Sequence, residues 1–154
     1  MNILNVNMTL DPVTGGGSAE RSLQISRALN HSGHQCTILT IDTGLSPAYL
    51  RQCSKWGFNV VALPSLWRRF YLPKPSQNII NNLVATADVV NLMSHWTLIN
   101  ALVYCAMKKL SKPYIVCPAG ALPIFGRSKV LKKLYNHFGG RKIMLDANGH
   151  IAIS

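Results

Sequence analysis

The stretch NILNVNMTLDPVTGGGSAERSLQISRALNHSGHQCTILTI, residues 2–41, decides the fold. An apolar strand leads into the triple glycine Gly15-Gly16-Gly17. An amphipathic helix follows, ends near Gly33, and precedes a second apolar strand. This order predicts a βαβ unit with small residues at its strand-to-helix turn. Such a turn presents free backbone N–H groups at a helix N-terminus, where a phosphate or another anion is easily held.

The rest of the chain continues the alternation. Strands are predicted over residues 58–63, 89–93, 114–117 and 150–154, and helices over 46–55, 76–87, 97–110 and 128–138, with an irregular segment at 66–75. Short apolar strands between helices predict an α/β fold, a Rossmann-like parallel sheet with helices on both faces. Sites in such sheets collect at the carboxyl ends of the strands. The candidate loops are therefore 9–17, 63–75, 94–96 and 118–126.

Composition favours one folded basic domain over residues 1–154. The apolar fraction of 48% is that of a globular chain, and 16 Lys and Arg against 5 Asp and Glu give a net charge of +11. A chain this basic favours partners that carry phosphate: nucleic acid, anionic lipid headgroups or a phosphorylated small molecule. Composition alone leaves these three open.

Cysteine usage and the N-terminus predict a reducing, cytoplasmic setting. The cysteines form no C-x-x-C pair, which argues against a zinc knuckle, and no His, Asp or Glu pair has metal-ligand spacing; they are Cys36, Cys53, Cys105 and Cys117. Asparagines interrupt the first apolar run, so it does not match a secretory signal. Residues 89–107 carry no charge but contain five polar side chains, so a buried strand and helix fit them better than a membrane span.

Three loop features are candidates for a site. The glycines lack the G-x-G-x-x-G spacing and the P-loop ending, so they indicate either a flexible turn or a backbone cradle for phosphate. Glu20 and Arg21, in the first helical turn, could face solvent or a cleft. His95 follows a strand end, where it could be structural or functional. Gly120 lies between Pro118 and Pro123, in a fixed loop or a strand stop.

A basic segment near the C-terminus is the fourth candidate. It includes Arg127, Lys129, Lys132 and Lys133, and on a helix the three lysines share one side. The apolar side chains of Val130, Leu131, Leu134 and Phe138 occupy much of the rest. This pattern indicates either a solvated face or a surface that docks on anionic lipid or on a phosphate-bearing acceptor.

These motifs, taken in chain order, point to a family. They are residues 15–21 (GGGSAER), 28–29 (AL), 33–37 (GHQCT), 88–90 (DVV), 95–96 (HW), 112–116 (KPYIV) and 118–120 (PAG), with the basic helix ending in Phe138-Gly139. In this ordered series the chain resembles the N-terminal, acceptor-side half of a glycosyltransferase family 4 enzyme of the GT-B fold. The resemblance covers nearly all 154 residues.

The resemblance implies two Rossmann-like domains facing across a cleft. The N-terminal domain binds the acceptor; a C-terminal domain, absent from these residues, binds the nucleotide-sugar donor. Transfer in the family retains anomeric configuration, normally without a metal ion, and no cofactor is expected. By position, the glycines and Glu20 would contact donor phosphate or substrate. Residues around His95 and Gly120 would line the cleft, with His95 as the candidate catalytic residue.

The resulting expectation is a hexosyltransferase half that acts on a lipid-linked or polysaccharide acceptor. It would be inactive alone, cytoplasmic, and peripheral on the inner face of the membrane, through contacts of Arg127 and the three lysines. A separate donor-domain chain could complete it. The alternative is a non-catalytic module, derived from such an enzyme, that binds a membrane or a partner.

Two further classes of protein are disfavoured. Nucleic-acid binding lacks support because Trp56, Trp67 and Trp96 are scattered and no DNA- or RNA-reading motif is present. A nucleotide-binding dehydrogenase is disfavoured by the glycine spacing.

Overall fold

The computed structural model describes residues 1–120, 122 and 128–152. Its strands are β1 (Asn2–Val6), β2 (Gln35–Ile41), β3 (Asn59–Leu63), β4 (Ser65–Trp67), β5 (Leu72–Pro73), β6 (Val89–Met93), β7 (Tyr114–Cys117) and β8 (Gly149–His150). Its α-helices are α1 (Gly16–His31), α2 (Pro47–Lys55), α3 (Gln77–Thr86), α4 (Leu98–Leu110), α5 (Lys129–Tyr135) and α6 (Arg141–Leu145). A 3-10 turn covers Arg68–Phe70, and the segment Asn136–Gly140, kinked at Gly139, joins α5 to α6.

The main sheet is parallel in every described pairing and has the strand order β3-β2-β1-β6-β7-β8. The α/β fold predicted from the sequence is therefore confirmed. The chain runs outward from β1 through β2 to β3, then returns to place β6 on the other side of β1. The strand order thus reverses between β1 and β6, and this is the topological switch point where open α/β sheets bind ligands.

Helices cover both faces of the sheet, as predicted. On one face, Leu23 of α1 and Cys53 of α2 pack with Ile38 of β2 in one buried cluster. On the other face, Val84 of α3 and Val103 of α4 belong to a second cluster built on β1, β2, β6 and β7. Ile143 of α6 joins this second cluster, which explains why the chain resumes a helix after the glycines at 139–140.

A short polar seam runs through the core beneath α1. The Asn5 amide donates to Ser26 Oγ at 2.7 Å, and its Oδ1 accepts from Asn91 Nδ2 at 3.0 Å. Beside this chain of bonds, Asn7 Nδ2 donates to Ser22 Oγ at 3.1 Å. All of these side chains are buried. Because polar pairing is directional, the seam fixes how α1 lies across β1 and β6.

Helix starts largely follow the sequence signals. Ser46 accepts from Tyr49 N with Pro47 in the first helical position, and Thr97 accepts from Asn100 N at the start of α4. Ser76 precedes α3 without a side-chain cap bond, and its hydroxyl donates to Lys74 O.

Two segments differ from the prediction. Residues 65–73 form a small antiparallel hairpin of β4 and β5, whereas the sequence predicts an irregular segment there. The helix predicted over 128–138 is α5, which ends at Tyr135, and the chain continues through the kinked segment Asn136–Gly140 into α6. The last strand is Gly149–His150; residues 153 and 154 of the predicted strand lie outside the described part.

Replacing Asn5 with Ala should lower the free energy of unfolding by about 2–4 kcal/mol, because Ser26 and Asn91 would each lose a buried partner. Urea denaturation measures this change. Asn59→Ala, at an exposed position of β3, is the control and should stay within about 0.5 kcal/mol of the wild type. Equal stability of the two variants would show that the seam contributes nothing.

Candidate functional site

The candidate site lies at the carboxyl edge, the edge of the main sheet where its parallel strands end. The loop after β1 contains the glycine turn, Gly15–Gly17, and the loop after β6 contains His95. Because β1 and β6 are neighbours that flank the switch point, the fold brings these two loops to the same part of the carboxyl edge.

Asp11 organises the loop before the glycine turn. Its carboxylate accepts from the backbone N–H of Val13 at 3.1 Å and from that of Thr14 at 3.2 Å, and also from the Thr14 hydroxyl. Its carbonyl oxygen accepts from Gly15 N at 2.8 Å. These bonds hold the pKa of the Asp11 carboxyl below its usual value, with the Thr14 hydroxyl as the largest cause. The aspartate therefore stays ionised, and its hydrogen bonds fix the conformation of the loop before the glycine turn.

Two glycines let the backbone approach this aspartate closely. A Cβ on Gly15 would stand 2.6 Å from both Ala19 Cβ and the Asp11 carbonyl oxygen. Gly44, in the loop after β2, has a φ of +79°, and a Cβ there would meet the Asp11 carboxylate. Neither position has room for a side chain, so the loops after β1 and β2 pack as one unit.

Gly16 and Gly17 differ from Gly15 because they face open space. A Cβ at either position would meet no described atom within 4 Å. Both belong to the first turn of α1, whose backbone N–H groups have no acceptor within the helix. The glycine turn is thus a bare backbone surface at the positive end of a 16-residue helix. This geometry can accept an anion whose oxygens approach the main chain directly.

His95 is almost completely enclosed, with 3% of its surface exposed. Its Nε2 lies 3.0 Å from Asn136 Oδ1, and its ring meets Trp96 and Tyr135 edge-on at centroid distances of 4.5 and 5.5 Å. Burial lowers the pKa of the imidazole, only partly opposed by the Asn136 contact. The ring is therefore neutral, Nε2–H donates to Asn136, and the buried Nδ1 has no partner among the described residues.

These contacts connect His95 to the kinked segment Asn136–Gly140 rather than to open solvent. Tyr135 donates its hydroxyl to Thr97 O at 3.1 Å, and burial raises its pKa to about 12, so it remains a donor. Together these contacts hold the end of α5 against the loop after β6. The catalytic role of His95 remains a prediction, and its surroundings favour a positioning role.

The other predicted residues are spread along the carboxyl edge. Glu20 lies exposed in the second turn of α1, not in the first as predicted, because α1 begins at Gly16; it accepts from Gln24 Nε2 at 2.6 Å. Gly120 is exposed with a φ of +74°, and a Cβ there would meet no described atom within 4 Å. Lys129 and Lys133 are exposed, while the Lys132 ammonium lies 5.6 Å from the centre of the Trp96 ring. Arg127 lies outside the described residues.

Sequence reasoning missed Asp11, Thr14 and Asn136. An aspartate followed by Pro, Val and Thr is compatible with a turn in which the carboxylate accepts from nearby backbone N–H groups, and this was the available signal. Asn136 carried no comparable local signal, because its contact with His95 spans 41 residues of sequence.

Across the described residues, no group of three or more His, Cys, Asp or Glu side chains could hold a metal ion. Nor is any helix there long and apolar enough to cross a membrane. A polar cavity of about 470 Å³ opens at the opposite, amino edge of the sheet, lined in part by Asn2, Gln35 and Asn59. It lies away from the glycine turn.

Two solved structures share the fold. Anabaena Alr3699/HepE, in complex with UDP and glucose, has a TM-score of 0.60 at 13% identity, over 97% of this chain and 41% of that one. Acinetobacter baumannii MurG has a TM-score of 0.53 at 14% identity, over 75% of this chain and 34% of that one. The chain thus shares the Rossmann-like α/β fold of these two structures and spans less than half of either. No protein-family model and no curated protein matches the sequence.

Replacing Gly15 with Ala should lower the free energy of unfolding by about 1–3 kcal/mol, because the new methyl group would overlap the Asp11 carbonyl oxygen and Ala19. Gly17→Ala is the matched control, since its methyl group would enter open space. Thermal unfolding of both variants measures the difference. A Gly15→Ala protein as stable as Gly17→Ala would contradict the close packing described for this turn.

The stability of the protein should also fall on acidification through Asp11. Because folding lowers the pKa of this carboxyl from 3.8, it contributes stability above that value and loses it as the pH drops through the folded pKa. Asp11→Asn should therefore have a lower melting temperature near neutrality and a flatter decline as the pH falls below about 5. Parallel curves for the two proteins would exclude Asp11 as a contributor.

Proposed function

We propose that this chain is the N-terminal, acceptor-side half of a retaining glycosyltransferase related to family 4. It would move a hexose from a nucleotide-sugar donor to a lipid-linked or polysaccharide acceptor. The observation that carries the proposal is the glycine turn, whose bare first-turn backbone lies beside the switch point of a GT-B-like sheet. A second Rossmann-like domain, on this or another chain, would supply the donor-binding residues.

The donor's diphosphate is the group that the glycine turn fits. When the sugar leaves, negative charge grows on the diphosphate, and fixed backbone N–H donors can stabilise it without reorganising. The N–H groups of Gly16, Gly17 and Ser18 lie in the first turn of α1, with Gly16 and Gly17 open to an approaching ligand. The presence of UDP in the HepE structure supports a nucleotide diphosphate as the probe.

The acceptor would lie toward α5 and the loop that contains Gly120. Lys129 and Lys133 are exposed there, and α5 carries the exposed apolar side chains Val130 and Leu131. A basic and apolar face of this kind suits a lipid-linked acceptor at an anionic membrane surface. The proposed location is accordingly the cytoplasm, peripheral on the inner face of the membrane.

The exposed apolar residues of α5 and of the turn after it favour one alternative. Val130, Leu131 and Phe138 are 70%, 63% and 81% exposed, so the face could bind a protein partner or a membrane without any transfer chemistry. In that case the chain would be a non-catalytic module and the glycine turn would bind no nucleotide.

The chain is titrated with UDP, and binding is monitored by calorimetry and by NMR of the backbone amides. The result separates a transferase half, which binds UDP, from a non-catalytic module, which does not. We expect binding with the largest amide shifts at Gly16, Gly17 and Ser18. Gly17→Ala should weaken binding about tenfold, because its methyl group fills space that a phosphate needs while leaving the fold intact. Gln77→Ala, in the first turn of α3, is the control and should bind like the wild type.

No binding of UDP, or equal affinity of Gly17→Ala and wild type, would contradict a diphosphate site at the glycine turn. Amide shifts confined to the polar cavity at the amino edge would place the nucleotide elsewhere and contradict it equally.

A further inference from the structure

The hairpin Ser65–Pro73, at the carboxyl edge, carries a group of exposed apolar side chains. It follows β3 and places Leu66, Trp67 and Phe70 in solvent, with 65%, 57% and 53% of their surfaces exposed. Arg68 and Arg69 lie between them and are exposed as well. Large apolar side chains grouped in this way usually mark a surface that is covered in function.

The hairpin is built to hold this tip in place. Ser65 N donates to Asp42 Oδ1 at 2.9 Å, and Tyr71 donates its hydroxyl to Thr14 Oγ1 at 3.2 Å, next to the glycine turn. At the tip, the Trp67 and Phe70 rings meet edge-to-face at 4.6 Å. The Arg69 guanidinium lies 5.8 Å from the centre of the Phe70 ring. The aromatic rings are thus presented on a fixed base.

The charged side chains within the hairpin are both basic, and the carboxylate that contacts it, Asp42, accepts from Ser65 N at its base. No Asp or Glu occurs between Asp42 and Asp88, whereas this stretch holds Arg51, Lys55, Arg68, Arg69 and Lys74. Aromatic rings with adjacent arginines match the boundary between headgroups and acyl chains of an anionic membrane, where rings enter the apolar layer and cations meet lipid phosphate.

The hairpin and α5 reach the same part of the molecule. Strand β5 packs against α4, and Tyr135 at the end of α5 donates to Thr97 O, the cap of α4. Both elements therefore flank the N-terminal end of α4 at the carboxyl edge. Leu98, the first residue of α4, is 44% exposed.

We propose that the hairpin Ser65–Pro73 is a membrane anchor that inserts Trp67 and Phe70 into the interface of an anionic bilayer. Arg68 and Arg69 contact lipid phosphate, and α5 provides a second point of contact. With these two contacts, the hairpin and α5 hold one side of the carboxyl edge at the membrane surface. The anchor extends the membrane contact proposed for α5 and does not depend on nucleotide binding.

Other occupants fit the hairpin less well. A second copy of the chain would bring another +11 of charge to an arginine-rich tip. A sugar ring would stack on one aromatic face and leave Leu66, 65% exposed, in water. A bilayer accommodates all three apolar side chains and both arginines together.

Flotation of the full chain with vesicles tests the anchor. Vesicles of phosphatidylglycerol and phosphatidylcholine should bind the wild type, and vesicles of phosphatidylcholine alone should bind it much less. Trp67→Ser/Phe70→Ser and Arg68→Gln/Arg69→Gln should each weaken binding to the anionic vesicles roughly tenfold or more. The matched control is Lys109→Gln/Leu110→Ser, an exposed basic and apolar pair at the amino edge, which should bind like the wild type.

A second readout locates the insertion. In the wild type, brominated acyl chains should quench part of the tryptophan fluorescence. In Trp67→Phe this quenching should disappear, although the variant still binds vesicles. Normal vesicle binding by both hairpin variants would overturn the anchor. Loss of binding only in the variant Lys129→Gln/Lys132→Gln/Lys133→Gln would also overturn it, because α5 would then bind the membrane alone. Binding of a soluble glycan in place of vesicles, or self-association through the tip, would also overturn it. UDP binding to Gly16 and Gly17 is measured separately, so failure of either proposal is distinguishable.

Discussion

The Asp11 carboxylate is the interaction on which the rest of the carboxyl edge depends. It ties the backbone of Val13 and Thr14 into a turn, and the Asp11 carbonyl oxygen accepts from Gly15 N at the start of α1. Gly44, from the loop after β2, packs against the same carboxylate. Tyr71 of the hairpin reaches Thr14, a partner of that carboxylate. One ionised side chain thus connects three loops around the open glycines.

The sheet was predictable because its strands are short apolar runs between helices, and burial alone dictates that pattern. The glycine turn was also predictable, because three consecutive glycines between a predicted strand and a predicted helix favour a turn. The hairpin was missed because Trp67, Arg68, Arg69 and Phe70 show no alternation of apolar and polar residues. The contact of His95 with Asn136 was missed because it joins residues 41 positions apart.

The two edges of the sheet have different chemistry. At the carboxyl edge lie open backbone N–H groups at the start of α1, exposed lysines on α5, and exposed arginines and aromatic rings on a hairpin fixed by hydrogen bonds. At the amino edge, a cavity of about 470 Å³ is lined largely by neutral polar side chains such as Asn30, Thr37 and Asn59. Cavity size alone would have favoured the amino edge as the ligand-binding site. The topological switch point and the positive end of α1 favour the carboxyl edge instead.

The most direct test of the central claim is a crystal structure of this chain with UDP. The account predicts electron density for the diphosphate against the backbone N–H groups of Gly16 and Gly17, at the start of α1. Density for UDP in the amino-edge cavity, with the glycine turn empty, would contradict it.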